Sequence, residues 1–285
     1  MLNPEVISIF TALSIALLIL GPLAWKWQLG LGRCIVFVAI CACSVGAITV
    51  ILLPGASVQV TAIVLMTVLT SLAVLLFRFY RDPERITTQV EGAIVSPADG
   101  QIIYVYRSER SFLPVSAKNG RRYTLHELTR TSLQHEDSIV VGIAMNYLDV
   151  HVNRAPVSGI IVRHHHFPGR FGSLRDPAMV FENERATTVI RTGGLEVAVV
   201  QIASRLVRQI VSFVNPGHAV LAGERIGAIR FGSQVDLVIP LRADLMLCAK
   251  VGDRVIAGQS IIGMFASRVP LAAAPGTAIE ESAKL

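Results

Sequence analysis

Apolar residues are concentrated at the N-terminal end of this chain. Three apolar runs lie there, Ile7–Trp25, Cys34–Leu53 and Val60–Phe77, and only three charged residues fall within positions 1–77. Each run has about the 18–20 residues that a helix needs to cross a bilayer. The first run lacks the basic start and the small-residue cleavage site of a signal peptide. The pattern predicts a membrane anchor of three transmembrane helices over residues 1–77.

The basic residues near the ends of these runs predict an orientation. Such residues lie in the first loop and after the third run, but not in the loop between the second and third runs: Lys26, Arg33, Arg78, Arg81 and Arg85. Cytoplasmic ends carry the excess of Lys and Arg. We therefore expect an anchor in the cell membrane and a cytoplasmic C-terminal region, with the three arginines after the third run attracting an anionic bilayer.

The rest of the chain is rich in short segments that predict β-strands. The pair Gly193–Gly194 predicts a hairpin turn. The segment "SRLVRQIVSF", which begins at Ser204, predicts one helix because an apolar face follows a capping serine. Four short runs rich in β-branched residues predict strands: Gln101–Tyr106, Ser138–Met145, Gly159–His166 and Leu195–Ile202.

Two short motifs each occur twice in this β-rich region. "GHAVLAG" (Gly217–Gly223) is repeated as "GDRVIAG" (Gly252–Gly258), and "PADGQI" (Pro97–Ile102) as "PVSGII" (Pro156–Ile161). Paired elements of this kind resemble those of barrel-sandwich hybrids, the folds of biotinyl and lipoyl carrier domains; chance similarity between glycine-rich turns is the alternative. Carrier chemistry is not evident, since Lys250 precedes its glycine instead of occupying a hairpin tip. The predicted fold is mainly β, barrel-sandwich-hybrid-like, with one or two helices, preceded by the transmembrane helices.

Charge indicates what this region binds, and cysteine content indicates the redox compartment. Beyond residue 77 the basic residues are 21 arginines and three lysines. Arginine binds phosphate and carboxylate with two prongs, which on a membrane-tethered domain favours lipid headgroups over nucleic acid; ordinary solvated charge is the alternative. The cysteines form neither a disulfide framework nor a CxxC zinc pattern, so a reducing compartment is expected: Cys34, Cys41, Cys43 and Cys248.

The motif "RHHHF" raises the question of a metal site. His164 and His166 would share one face of a strand, a spacing that zinc accepts. No H-x-x-x-D segment accompanies them, so we predict no metal and place His164, His165 and His166 on the sheet surface, where they would line a lipid entrance.

The segment "AIRFGSQVDLVIP" contains the chemistry-bearing pair Gly232–Ser233 inside an otherwise apolar strand pattern. A serine hydroxyl can attack the carbonyl before it, and glycine permits the strained backbone that this needs. β-Elimination of the resulting ester breaks the chain and leaves a pyruvoyl group. Such a ketone forms a Schiff base with an amine and acts as an electron sink for decarboxylation. The dipeptide alone is too common to indicate this reaction.

The surrounding motifs are more specific. "FYRDPER", "IVSPADGQI", "MNYLDVHVNRAPVSG" and "GERIGAIRFGSQVDLVIP" occur in this order, with "FPGRF", "ENER" and "KVGDRVIAG". Together they closely resemble the phosphatidylserine decarboxylase family, in its short prokaryotic class, from Arg78 to about Phe265. The resemblance implies a proenzyme that cuts itself between Gly232 and Ser233 and converts phosphatidylserine to phosphatidylethanolamine and CO2.

The resemblance also assigns site residues. Ser233 matches the serine that becomes the pyruvoyl cofactor, and Gly232 is its cleavage partner. Asp99 and His151 match the other members of the self-cleavage triad: His151 would take the Ser233 proton while Asp99 orients the ring. Without the resemblance, Asp99 reads as a turn residue and His151 as a strand-end histidine.

Two positions near the site depart from the family pattern, and Ser204 in addition stands where a glycine is expected. Arg154 stands where a second histidine is expected, and Gln234 where an arginine is expected. Either His151 serves both self-cleavage and the later protonation, or another group delivers that proton. A decarboxylase of another serine phospholipid, such as an archaetidylserine-like ether lipid, and a non-enzymatic membrane adaptor remain alternatives.

The resemblance completes the predicted domain organisation. A connector over 78–95 would lead into a decarboxylase domain over 96–267, followed by a disordered tail over 268–285. Cleavage would leave a β chain and an α chain that stay associated, and a homodimer stays open.

Overall fold

A computed structural model gives the structure of residues 4–26, 29–87, 90–117, 120–174, 176–204, 209–229 and 233–266. Of Pro4, Lys26 and Ser233 it describes the backbone alone. Gly232 and the predicted tail over 268–285 lie outside the described residues. The chain divides into two units, the first made of residues 1–81 and 146–150 and the second of the remainder.

Three helices form most of the first unit, and each is long and apolar enough to cross a membrane. They cover the three predicted runs except Leu53, which follows α2, and pack against one another around buried Ala12, Ala42 and Ile63. Small residues at such positions let helix backbones approach closely. The helices are α1 (Pro4–Lys26), α2 (Leu31–Leu52) and α3 (Ala56–Tyr80).

The second unit is mainly β. Its described residues contain two short helices, α4 (Leu125–Thr129) and α5 (Met179–Glu182). The four runs predicted as strands all lie within strands. The strands are β1 (Ala93–Val95), β2 (Gly100–Arg107), β3 (Phe112–Ser116), β4 (Arg122–Thr124), β5 (Ser138–Met145), β6 (Val152–Arg154), β7 (Gly159–Phe167), β8 (Arg185–Thr192), β9 (Leu195–Ala203), β10 (Ile210–Ser212), β11 (Ala219–Val220), β12 (Arg225–Ile229), β13 (Ser233–Pro240), β14 (Leu245–Leu247), β15 (Arg254–Val255) and β16 (Ile261–Phe265).

An antiparallel sheet of eight strands organises this unit, in the order β11-β7-β8-β9-β13-β5-β2-β15. The hairpin between β8 and β9 confirms the predicted turn, since Gly193 and Gly194 both have positive φ. Two smaller sheets have the orders β10-β12-β6 and β1-β16-β14. Along β13, Val235 and Leu237 join one buried cluster and Val238 joins another, so both faces of the sheet are covered.

The repeated motifs occupy equivalent places at the two edges of this sheet. β11 pairs with β7, and β15 pairs with β2. In both pairs the motif valine lies opposite the motif glycine: Val220 opposite Gly159, and Val255 opposite Gly100. The matching register confirms that the repeated motifs form equivalent structures.

The turns that follow repeat as well. Gly223 donates its N–H to the carbonyl of Ala155, and Gly258 donates to that of Ser96, both at 2.8 Å. The second unit is therefore built from two similarly bonded halves, and each half provides an internal comparison for the other.

The helix predicted from Ser204 is wrong in its second half. Ile210–Ser212 is strand β10, and Val211 pairs with Ala228 of β12. The β-branched Ile210 and Val211 suit a strand better than a helix once a neighbouring strand supplies the backbone partners. Residues 205–208 lie outside the described part of the chain.

Candidate active site

Ser233 is the first residue of β13, between two other strands of the large sheet. Its backbone lies opposite Met145 of β5 on one side and Ala203 of β9 on the other. A central strand held on both sides fixes the backbone position of residue 233. Any group that forms there is therefore presented from a rigid element.

His151 lies directly before β6 and is only 4% exposed. Its carbonyl oxygen accepts the N–H of Ile229, the last residue of β12, at 3.1 Å. β12 is the strand that precedes the Gly232–Ser233 pair in sequence. The fold thus holds the backbone of the predicted histidine against the strand that leads into the predicted cleavage site.

Asp99 lies in the turn before β2 and is 8% exposed. Its Oδ1 accepts the Nη1–H of Arg85 at 2.6 Å and the N–H of Ala257 at 2.8 Å, and its Oδ2 accepts the Nη2–H of Arg85 at 2.8 Å. Arg85 was expected to attract the bilayer, and that expectation is wrong: its guanidinium is buried in this ion pair and also donates to the carbonyl of Ala257.

The segments that carry Asp99 and His151 are hydrogen-bonded neighbours. Arg154 donates its N–H to the carbonyl of Pro97, and Val95 donates to that of Pro156, both at 2.9 Å. These bonds bring the Pro97–Ile102 turn beside β6. The predicted side-chain contacts of His151 with Asp99 and with Ser233 remain predictions.

A buried amide pair lies in the same region and was missed in the sequence. Gln201 of β9 donates its Nε2–H to Oδ1 of Asn153 in β6 at 2.8 Å, and both side chains are fully buried. Gln201 lies opposite Val235, two residues from Ser233. A Cβ on Gly227 would meet the carbonyl oxygen of Val211 at 2.6 Å and the Gln201 amide at 3.1 Å, so this glycine makes room for both. No sequence spacing signals two amides that meet only through the fold.

Gln234, the departure beside the cleavage site, belongs to a buried polar cluster. Its Nε2 donates to Tyr104 Oη at 2.6 Å and to Asp236 Oδ1 at 2.7 Å, and Tyr104 donates its hydroxyl to Asp236 Oδ2 at 2.6 Å. Burial raises the pKa of Asp236 to about 6, although the bonds from Tyr104 and Gln234 oppose the shift. A mainly apolar cavity of about 130 Å³ adjoins Gln234 and Tyr104.

Arg154, the other departure, has a structural position. It is 3% exposed and donates to the carbonyls of Gly223 and Pro83 and to the carboxylate of Asp82. A guanidinium stays protonated at physiological pH, so Arg154 does not replace the expected histidine as a proton donor. Its bonds to residues 82 and 83 instead hold the segment Asp82–Thr87, which we call the strap.

The histidine triplet lies on β7, as predicted from the strand pattern. Nδ1 of His164 is 3.0 Å from the hydroxyl of Thr188, and Nε2 of His166 is 2.8 Å from Oε1 of Glu184. His165 is exposed. The described residues contain no group of three or more potential metal-ligating side chains.

Comparison with known proteins identifies the family. The family model described as phosphatidylserine decarboxylase matches residues 72–263. The chain belongs to the phosphatidylserine decarboxylase family. The chain is 36% identical to the phosphatidylserine decarboxylase proenzyme of Geotalea uraniireducens over 65% of this chain and 77% of that protein. It is 35% identical to the proenzyme of Nitrosomonas europaea over 68% of this chain and 80% of that one.

A second name occurs among relatives of similar identity. The chain is 38% identical to a provisionally named archaetidylserine decarboxylase proenzyme of Methanothermobacter thermautotrophicus, over 67% of this chain and 80% of that protein. These relatives are all named decarboxylase proenzymes. Membership of this decarboxylase family favours the enzymatic interpretation over the adaptor alternative.

Proposed function

We propose that this protein is a membrane-anchored, self-processing, pyruvoyl-dependent decarboxylase that converts phosphatidylserine to phosphatidylethanolamine and CO2. The chain belongs to a family of proenzymes, and the positions of three predicted residues in its fold support the proposal. Ser233 begins the central strand β13. The backbone of His151 is hydrogen-bonded to β12, the strand that precedes β13, and Asp99 lies in the turn beside β6.

Self-cleavage is assigned to this chain's own groups. His151 takes the proton of the Ser233 hydroxyl, whose oxygen attacks the carbonyl carbon of Gly232. The C–O bond of an ester forms as the C–N bond between the two residues breaks, and His151 passes the proton to the nitrogen, which becomes the free amine of residue 233. β-Elimination then releases the carboxylate of Gly232 and leaves a dehydroalanine, which water hydrolyses to a terminal ketone with loss of ammonia.

The residues around position 233 fit a fixed prosthetic group. The pyruvoyl group would supply an electrophilic ketone that withdraws electrons from the serine headgroup as CO2 leaves. Strand β13 keeps that position in place through its backbone bonds to β5 and β9, which belong to the other fragment. Pairing of β15 with β2 and of β16 with β1 also joins residues after the cut to residues before it. These bonds explain why an α and a β chain would remain associated.

We further assign the anchor to the cell membrane with the catalytic unit on the cytoplasmic side. Three helices that can span a membrane and the basic residues Lys26, Arg33 and Arg78 support this orientation. An anchor keeps the enzyme close to a substrate that cannot leave the bilayer, which raises the effective concentration of that substrate. The connector and the domain boundaries proposed from the sequence belong to the same assignment.

A second substrate has specific support, because relatives named for archaetidylserine are as similar as those named for phosphatidylserine. Both lipids present the same phosphoserine headgroup. The chemistry assigned to Ser233 and His151 acts on that headgroup and does not distinguish ester tails from ether tails.

The test compares the full-length wild type with Ser233→Ala on a denaturing gel, and then with both lipids in mixed micelles. We expect two bands and CO2 release from the wild type, and one band and no turnover from Ser233→Ala. Ser132→Ala, at an exposed loop serine, is the control and should behave as the wild type. Turnover by an uncut Ser233→Ala variant would contradict the proposal, and turnover of the ether lipid alone would favour the second substrate.

A further inference from the structure

Arg85 contacts Asp99 directly, and the sequence did not predict this partner for the carboxylate. The side chains of Arg85 and Asp99 are 7% and 12% exposed, and two guanidinium nitrogens bind two carboxylate oxygens. Such a two-pronged contact fixes the plane of a carboxylate as well as its charge. The contact joins a residue just after the membrane anchor in sequence to a proposed member of the self-cleavage triad.

The strap has further contacts with other residues of the second unit. Arg225 donates to Asp82 and, at 2.8 Å, to Glu84, and Arg154 donates to Asp82 and to the carbonyl of Pro83. The pairs of Arg225 are partly exposed and each contributes little to stability, but together with the bonds from the buried Arg154 they restrict where the strap lies. They bring Arg85 to a fixed place beside Asp99.

The strap also passes close to a turn of each half. A Cβ on Gly223 would lie 1.8 Å from the hydroxyl oxygen of Thr87, and one on Gly258 would lie 3.7 Å from the same atom. Both glycines have positive φ. The strap therefore depends on the absence of a side chain at Gly223, in addition to its ion pairs.

The two halves of the unit show which part of the Asp99 contact the fold requires. The N–H of Ala257 donates to Asp99, and at the equivalent position of the other half the N–H of Ala222 donates to the hydroxyl of Ser158 at 2.9 Å. A neutral serine therefore suffices to satisfy this turn. The carboxylate at position 99 and its guanidinium partner go beyond the needs of the turn, which indicates a role in the site.

We propose that Arg85 is a positioning residue for self-cleavage, acting through Asp99; the inference rests on the function proposed above. Arg85 holds the Asp99 carboxylate in one orientation. A carboxylate has about four acceptor positions, so it can accept an imidazole N–H as well as the donors from Arg85 and Ala257. The oriented carboxylate then stabilises His151 as it takes the proton of Ser233.

The experiment follows the rate of self-cleavage of newly synthesised full-length precursor on denaturing gels. Wild type, Ser233→Ala, Arg85→Met and Arg85→Lys are compared from pH 5.5 to pH 8.5. We expect Arg85→Met to cleave about 100-fold more slowly than the wild type, the effect of a misplaced catalytic group. Arg85→Lys, which keeps the charge but not the two-pronged geometry, should slow cleavage less than Arg85→Met. Arg242→Met, which removes an ion pair with Asp244, is the matched control and should cleave normally.

Two further measurements separate positioning from folding. In an Asp99→Asn background, Arg85→Met should cause no additional slowing, because the two residues act as one unit. Added guanidinium should restore cleavage of Arg85→Ala, and added urea should not. A wild-type cleavage rate in Arg85→Met, or additive effects of Arg85→Met and Asp99→Asn, would overturn the role of Arg85 but leave the proposed function standing. An uncut wild type would overturn the proposed function together with it.

Discussion

The N–H of Ile229 donates to the carbonyl oxygen of His151 at 3.1 Å. This bond ties the proposed general base to the end of the strand that leads into the cleavage site. His151 is buried, whereas His165 on β7 is exposed. The chain thus provides two histidines in contrasting environments for a direct test of the assignment.

His151→Gln should slow self-cleavage by at least about 100-fold, because a general base in proton transfer contributes that much or more. The precursor would persist as one band on a denaturing gel. His165→Gln is the matched control and should cleave at the wild-type rate. Equal cleavage of the two variants would remove His151 from the mechanism.

Asp236 should make stability depend on pH in a direction unusual for a carboxyl group. Its pKa is raised from 3.8 to about 6, so the folded protein binds this proton more tightly than the unfolded chain does. The stabilisation is fully present below the unfolded value and is lost as pH rises towards about 6. A shift of this size corresponds to roughly 3 kcal/mol. Asp236→Asn should remove this dependence. The melting temperature of the variant, measured relative to that of the wild type, should therefore rise between pH 4 and pH 7.

The same cluster predicts the effect of restoring the arginine expected at position 234. Gln234→Arg would place a cation beside Asp236, and the adjoining cavity of about 130 Å³ offers room for the longer side chain. We expect this variant to fold and to lose the proton uptake near pH 6, measured by melting temperature against pH. Retention of the wild-type pH profile in both variants would show that Asp236 is not the titrating group.

Gly223→Ala should slow self-cleavage by displacing the strap. The added Cβ would meet Thr87, whereas at Gly217 nothing lies within 4 Å, and φ is positive at both glycines, at 82° and 92°. Gly217→Ala therefore carries the same kind of backbone strain without the clash. Cleavage rates on gels should fall in Gly223→Ala and remain close to wild type in Gly217→Ala. Equal cleavage rates in the two variants would show that the position of the strap does not affect self-cleavage.

The proposed orientation can be checked through Cys248, which is exposed in the second unit. In a protein with Cys34, Cys41 and Cys43 replaced by Ala, a membrane-impermeant maleimide should label Cys248 only after the cells are permeabilised. A cysteine introduced at Gly55, in the loop between α2 and α3, should be labelled in intact cells. The opposite pattern would reverse the orientation inferred from Lys26 and Arg33.

The parts of this fold that depend on local pattern were predictable. Apolar runs gave the three helices, alternation and β-branching gave β5 and β9, and paired glycines gave the turn at Gly193–Gly194. The segment Ile210–Ser212 was predicted as helix because a short run of apolar residues fits both a helix and a strand. Its tertiary partner, β12, decides between the two.

The residues of the site were predictable only where they lie in motifs that match the family. Asp99, His151 and Ser233 lie in short matching segments, but their roles came from resemblance and not from spacing. Arg85 and Asp99 are 14 positions apart, and Asn153 and Gln201 are 48 apart. No periodicity relates such pairs, since the fold alone brings them together.

The most direct test of the central claim is the intact mass of the purified full-length protein. Self-cleavage predicts two fragments that copurify, of 232 and 53 residues from the 285-residue chain, the smaller beginning with a ketone in place of the amine of Ser233. An unbroken chain of 30.8 kDa that still releases CO2 from phosphatidylserine would contradict the account.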